Sequence, residues 1–402
     1  MTARNNHADK PAVWIGLLDE IMNELLVTLL TIVVVMGAIL TACMYLVLAE
    51  RKVSAWMQDR IGPNRVGPFG LFQPVADGLK VLLKEGVIPS HVDKGLFIVA
   101  PAISVFTTML AFAVVPFGPV ENEPSWFRFI IAPHIDIGLV FIFAVSSLAV
   151  YGVILGGWAS NNKYSALGSL RASAQVVSYE IPLGMSVLGV VLLCGTLNLE
   201  KILTQQAAGG FFKWNVWFQP LACLIFYTSA LAESFRLPFD LSECEQELVG
   251  GYHTEYSGLR MVLFFVGEYM HLITLSFITV ILFFGGWQFP WIATAESAYT
   301  GVWLVKLLVL LAKVIASIFF IMLIRWTLPR FRFDQLMELT WKVFIPLALA
   351  NVVAVMVVRQ FHWNWWWLLP ISLVLLILAG IIATSAKRME INRRGRASLA
   401  TG

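Results

Sequence analysis

Across positions 231–270 six carboxylates, Glu233, Asp240, Glu243, Glu245, Glu247 and Glu255, stand with Arg236 and His253 as partly compensating charge, and Glu268 follows inside the next apolar run. Two carboxylates about 6 Å apart repel by roughly 3 kcal/mol at an effective dielectric near 20. A packed cluster of this kind keeps some of its protons at neutral pH and titrates as a coupled set, accepting or releasing a proton when a nearby charge changes. A solvated acidic loop is the alternative. Phe235, Leu237, Pro238, Phe239 and Leu241, interleaved with the acids, favour burial, and ionisable groups at membrane depth are functional by default.

The elements that position these acids are membrane helices. Of 402 residues, 58% are hydrophobic and 13% charged, too apolar for a soluble domain of this size. The short alternating segments of a transmembrane β-barrel are missing, so the expected fold is all-α and polytopic. Apolar runs at 25–48, 97–117, 137–158, 176–195, 216–235, 259–284, 303–325, 341–358 and 365–385 give nine candidate spans. Each is near the ~20 residues that about 30 Å of hydrocarbon requires. Residues 1–24 read as a short tail outside, 25–358 as a membrane core of eight helices, and 359–402 as an additional helix with a basic tail. Eighteen Lys and Arg fall on the side of the acidic loop against six on the other, which puts that loop and the C-terminus in the cytoplasm and the N-terminus outside.

The first cytoplasmic segment contains rigid turn signals, Gly62-Pro63-Asn64 and Gly67-Pro68. After them Phe72, Val75, Ala76, Leu79, Leu82 and Leu83 recur at helical spacing, the pattern of an amphipathic helix in the membrane surface or docked on a partner. Glu180 precedes Pro182, which is expected to kink its span. Lys306 is expected to snorkel, whereas Lys313 is too central to do so; Glu268 and His271, three apart, share a helix face. Cys43, Cys194, Cys223 and Cys244 form no Cys-x-x-Cys pair, and there is no phosphate loop or glycine-rich fingerprint after a strand. The chain alone therefore offers no framework for an iron–sulfur cluster, a structural metal or a nucleotide.

Six motifs occur in one order: ERK at 50–52, QDRIGPNRVGPFG at 58–70, YEIP at 179–182, AE then PFDL within 232–241, GYHTEYSG at 251–258 and RFRFDQLM at 330–337. Together they resemble the H-type membrane subunit of the bacterial NADH:quinone oxidoreductases, the respiratory complex I, from about residue 33 to 358. The resemblance implies a membrane component of a proton-pumping enzyme of the respiratory chain in the bacterial inner membrane, inactive alone and without a redox centre. Quinone would be its substrate, flavin and iron–sulfur clusters would sit in partner subunits, and peripheral-arm and small membrane-arm subunits would be its neighbours. Carried over by position, Glu50, Arg51, Trp56, Asp77, Phe239, Arg325 and Arg330 would line the quinone chamber, the last two arginines facing the acidic cluster. Glu180, Glu233, Asp240, Glu243, Glu245, Glu247, Glu255 and Glu268 would couple quinone reduction to proton translocation.

Two features depart from the family: Phe235 stands where an asparagine is usual, and the ninth run exceeds the eight spans of many relatives. Two other functions stay open on the sequence. One is the equivalent subunit of a ferredoxin-, deazaflavin- or hydrogenase-linked complex. The other is a stand-alone ion transporter, for which inverted repeats are expected and no matching halves are visible.

Overall fold

The computed structural model describes residues 10–120, 124, 126–241, 248–294 and 301–381, with side chains from residue 22 onward. Among these residues there are α-helices and short 3-10 and π turns, with no strand. In chain order the helices are α1 (Lys10–Met57), α2 (Gln73–Leu82), α3 (Lys94–Ala111), α4 (Gly138–Ala159), α5 (Lys163–Cys194), α6 (Leu199–Ala208), α7 (Asn215–Phe218), α8 (Pro220–Glu233), α9 (Leu259–Phe283) and α10 (Val302–Thr327). Two more follow, α11 (Phe333–Gln360) and α12 (Trp365–Ile381). Seven of them are long and apolar enough to cross a membrane, and α8 and α12 are shorter apolar helices.

Several boundaries differ from the expectation. α1 starts at Lys10 instead of near residue 25, with Pro11 in its first turn, where the fixed φ of proline fits a helix. The span expected at 216–235 is divided at Gln219 into α7 and the 14-residue α8. Gln219 is held there by side chains: its amide donates to Gly189 O at 3.0 Å and its carbonyl accepts from Asn351 Nδ2 at 3.2 Å. α5 continues through Pro182 as one helix of 32 residues, packed against α4, α8 and α11. One lost backbone bond is small beside that packing.

α6 was not visible as a helix in the apolar pattern, and its role is at the end of α9. A helix C-terminus leaves its last carbonyls without intrahelical donors. Here Gln206 on α6 donates to Ile281 O at 2.8 Å, Asn215 on α7 to Leu282 O at 2.8 Å, and Lys313 on α10 to Phe284 O at 2.7 Å and Gln288 O at 2.6 Å. The Lys313 ammonium also lies 4.1 Å from the centre of the Trp214 ring. Lys306 does not snorkel: it is 1% exposed, with its ammonium 4.2 Å from the centre of the Trp287 ring. The face of an indole lets a cation stay inside the bundle.

α11 begins as an ordinary helix and passes through a π turn at Leu339–Phe344. Beside this turn Leu336 O accepts from the backbone N–H of Leu339 and from the Tyr179 and Thr340 hydroxyls, the latter two at 3.1 Å. α2 is amphipathic as expected, and Phe72, Val75, Leu79, Leu82 and Leu83 are exposed along it. α12 packs Leu375, Leu376 and Ala379 against Leu221, Ile225 and Leu347, so it covers the outside of the short α8.

Candidate functional site

Polar residues form four groups, one of them in the interior of the bundle, and the turn after α8 positions the first. Gln175 on α5 donates from one amide nitrogen to both Ala232 O and Phe239 O at 2.8 Å, drawing the two ends of the turn together. Between those anchors the backbone takes a left-handed step at Phe235 (φ 49°), and Arg236 is directed toward the end of α1.

There Arg236 Nη1 donates to Glu50 Oε1 at 2.9 Å and Oε2 at 3.1 Å. The same carboxylate accepts from the Tyr269 hydroxyl at 2.6 Å and from Arg325 Nη1. The Arg236 guanidinium lies 4.2 Å from the centre of the Tyr269 ring. Two guanidiniums against one carboxylate leave one net positive charge. Leu46, Leu272, Ile321 and Met322 complete a narrow cleft around it between α1, α9 and α10.

Beside it, Arg51 pairs with Asp77 of α2 at 2.6 Å, and Gln73 Nε2 donates to the other Asp77 oxygen at 3.0 Å. Lys52 Nζ donates to Phe69 O in the turn between α1 and α2. Trp56 is on the final turn of α1 and is 65% exposed. Phe239 stacks on Phe331 at 5.5 Å and lies 5.7 Å from Tyr179, while Asp240 pairs with Arg330 at 3.5 Å. Phe331 N donates to Pro238 O, tying the loop after α10 to the turn after α8.

The third group is interior. Ser104, Thr108, Ser146, Glu233, Tyr252, Glu268 and His271 are among the lining of a cavity with about 40 Å³ of room for the centres of water-sized molecules. Glu233 Oε1 is 3.2 Å from His271 Nε2, and the Tyr252 hydroxyl donates to Glu268 Oε1. Glu180 interacts electrostatically with both Glu233 and His271. Two glycines permit this closeness. A Cβ at Gly267 would fall 2.7 Å from Ser104 Oγ, and one at Gly168 would fall 2.7 Å from Gly251 Cα and 2.8 Å from Tyr252 N.

Glu255 belongs to a fourth group, where it accepts from Asn162 Nδ2 at 2.7 Å and lies 3.9 Å from His91. Its neighbour Tyr256 stacks on Phe97 at 4.0 Å, and burial pushes the Tyr256 hydroxyl well above the ordinary tyrosine range. Glu243, Glu245 and Glu247 lie outside the described residues. The described acids therefore have separate partners, several of them cations or donors from distant helices. Tyr269, His271, Tyr252 and Asn162 escaped the sequence reading as partners. Glu268, Tyr269 and His271 within four residues of one apolar helix were the available signal.

The matching family model, described as NADH dehydrogenase, covers residues 30–356. The first of the NADH-quinone oxidoreductase H subunits of Cytophaga hutchinsonii is 47% identical over 314 residues, 78% of this chain and 91% of that protein. The second H subunit of Koribacter versatilis is 47% identical over 341 residues, 82% and 96% of the two chains. The first H subunit of Geobacter metallireducens is 47% identical over 331 residues, 82% and 95%. With that identity over nearly the whole of each relative, and with the family model spanning α1 to α11, this multi-pass membrane chain belongs to the NADH dehydrogenase family, as a subunit of the H type.

Proposed function

We propose that this subunit of an NADH-quinone oxidoreductase walls the quinone chamber and passes the electrostatic effect of quinone reduction into the membrane through its buried acids. The observation that carries the reading is the Glu50 knot: one carboxylate, two arginines and a tyrosine at the end of an apolar cleft, one helical turn or so from the acid-lined cavity. Tyr269 and Glu268 are adjacent on α9, so the two sites share a backbone. Reduction of a quinone to quinol takes two electrons and two protons. The electrons are assigned to flavin and iron–sulfur groups of partner subunits, since the described cysteines Cys43, Cys194 and Cys223 are dispersed through the bundle.

In this reading the quinone enters past Trp56 and the exposed face of α2 and is held by donors of the knot together with groups of a peripheral-arm subunit. Electrons that arrive ahead of the protons place negative charge beside Arg236, and the protons that follow are drawn from groups around the site. The acids behind it respond because a charge change at close range is felt strongly in a low-dielectric interior. The resulting protonation change is transmitted toward the small membrane-arm subunits as proton translocation. The acidic loop and C-terminus face the cytoplasm and the N-terminus lies outside a bacterial inner membrane, the orientation favoured by the lysines and arginines.

The test is photolabelling of the whole complex, purified through a tag on this chain, with a ubiquinone analogue bearing a photoreactive ring. Label within 46–57, 236–240, 269–272 or 321–325, displaced by excess quinone and accompanied by NADH:quinone activity, supports the reading. Displaceable label confined to other subunits defeats it. A chain that purifies alone and transports ions in liposomes would instead favour the transporter.

A further inference from the structure

We infer that His271 is the proton-carrying link between Glu268 and Glu233 across the interior cavity. The inference rests on the coupling role proposed above and adds a residue that the carboxylates alone do not supply. Glu233 is 4% exposed, at the last turn of α8. One of its oxygens is 3.2 Å from His271 Nε2, and the other is buried without a hydrogen-bond partner. His271 Nε2 is within reach of Glu233 and not aligned with it, so a small turn of the ring makes or breaks that bond.

Glu268, three residues earlier, lies on the same face of α9 and is held by the Tyr252 hydroxyl. Both acids and the imidazole line one cavity. Its room of about 40 Å³ admits roughly two or three waters, and Ser104, Ser146 and Ser173 offer them hydroxyl partners. Imidazole can accept a proton on one nitrogen and release one from the other, which a carboxylate does less readily across a gap. The step balances: a proton leaves the Glu268 carboxyl, reaches His271 Nδ1 through water, and the proton on Nε2 passes to the Glu233 carboxylate. One proton moves from Glu268 to Glu233 and leaves the neutral ring protonated on Nδ1; exchange with the cavity waters, which take the Nδ1 proton and return one to Nε2, restores the starting tautomer.

The titratable groups that face His271 are Glu233 from α8, Glu180 from α5, Glu268 on its own helix and Tyr252 from the turn before α9. Among the described lining residues α3 and α4 add hydroxyls and apolar groups only, and the lining includes no lysine or arginine. Histidine is also the side chain whose ordinary titration falls near neutral pH. Pumping should therefore depend on the imidazole of His271, and its pH profile should change when that ring is removed.

The experiment uses the whole complex in liposomes, with proton uptake and NADH oxidation followed from about pH 5.5 to 8.5, the range that brackets a histidine. His271→Asn should lower coupled turnover about tenfold and flatten its pH profile, with the quinone KM changed less than about twofold, as for loss of a step after binding. Glu268→Gln serves as the reference. If Glu268→Gln loses pumping while His271→Asn keeps the wild-type rate and pH profile, the inference is wrong and the coupling reading stands. If both variants pump normally, the coupling reading falls and takes the inference with it. Infrared difference spectra of the unmodified complex give an independent check that needs no variant. An imidazole band that titrates together with turnover supports the link, and its absence overturns it.

Discussion

Arg236 and Glu50, 186 residues apart, meet through two hydrogen bonds of 2.9 and 3.1 Å in a site where both are largely shielded from solvent. The contact joins the end of α1 to the turn after α8, and Arg325 and Tyr269 close it from α10 and α9. Removing one partner of a buried pair leaves the other charge without compensation and costs about 3–5 kcal/mol. Glu50→Leu should therefore lower the melting temperature of the purified complex and abolish quinone reduction. Glu50→Gln, which keeps hydrogen-bond acceptance, should lose less stability while still slowing turnover by tenfold or more, on the order of 1.4 kcal/mol in the barrier. Thermal shift and NADH:quinone assays on the same preparations separate the two effects, and equal melting of all three proteins would refute the structural part.

Arg51 and Asp77 give the opposite expectation for stability. Their bridge is short at 2.6 Å, but the side chains are 50% and 39% exposed. Exposed pairs contribute roughly 0–1 kcal/mol. Arg51→Ala should leave melting nearly unchanged and raise the apparent KM for quinone several-fold, because the residue is at the proposed entrance. A change in pumping with an unaltered quinone KM would place Arg51 elsewhere in the mechanism.

Gly168 tests how the Tyr252 turn is held. An alanine Cβ would meet Gly251 Cα at 2.7 Å and Tyr252 N at 2.8 Å, both backbone atoms that cannot swing aside. Overpacking of this kind costs typically about 1–3 kcal/mol. Gly168→Ala should destabilise the complex and, by moving Tyr252 off Glu268, reduce pumping. Gly184→Ala on the same helix has nothing within 4 Å of its Cβ and should be silent. Comparable losses from both substitutions would show that helix α5 itself, and not the contact, is sensitive.

Lys313→Met retains length and removes the donor. Phe284 O and Gln288 O then lose a partner inside the bundle. An unsatisfied buried acceptor costs about 1–3 kcal/mol, so the variant should melt earlier and its α9 C-terminal amides should exchange hydrogen faster. Quinone KM should not move, since this end of α9 is remote in sequence from Tyr269. A changed KM with unaltered exchange would contradict that division of labour.

Composition and hydrophobic run length were enough to define a polytopic helical protein, since the cost of unpaired backbone groups in hydrocarbon leaves few alternatives once such runs exist. Turn residues and apolar spacing also placed α2, and local motifs identified the family and its acidic stretch. Gln219 and Gln206 show what run length could not give. Their side-chain bonds divide one predicted span and stabilise a helix end, and both depend on partners 30 to 132 residues away. The same holds for the site. A carboxylate can be read in sequence, but its environment is set by whichever group folds against it. For Glu50 these are Arg236 and Arg325, for Asp240 it is Arg330, and for Glu233 it is His271. Sequence alone determined that acids would sit in a membrane bundle. Only the tertiary structure decided which acid faces an arginine, which faces a histidine, and which opens onto a cavity, because those pairings arise from helices brought together by packing across the whole chain.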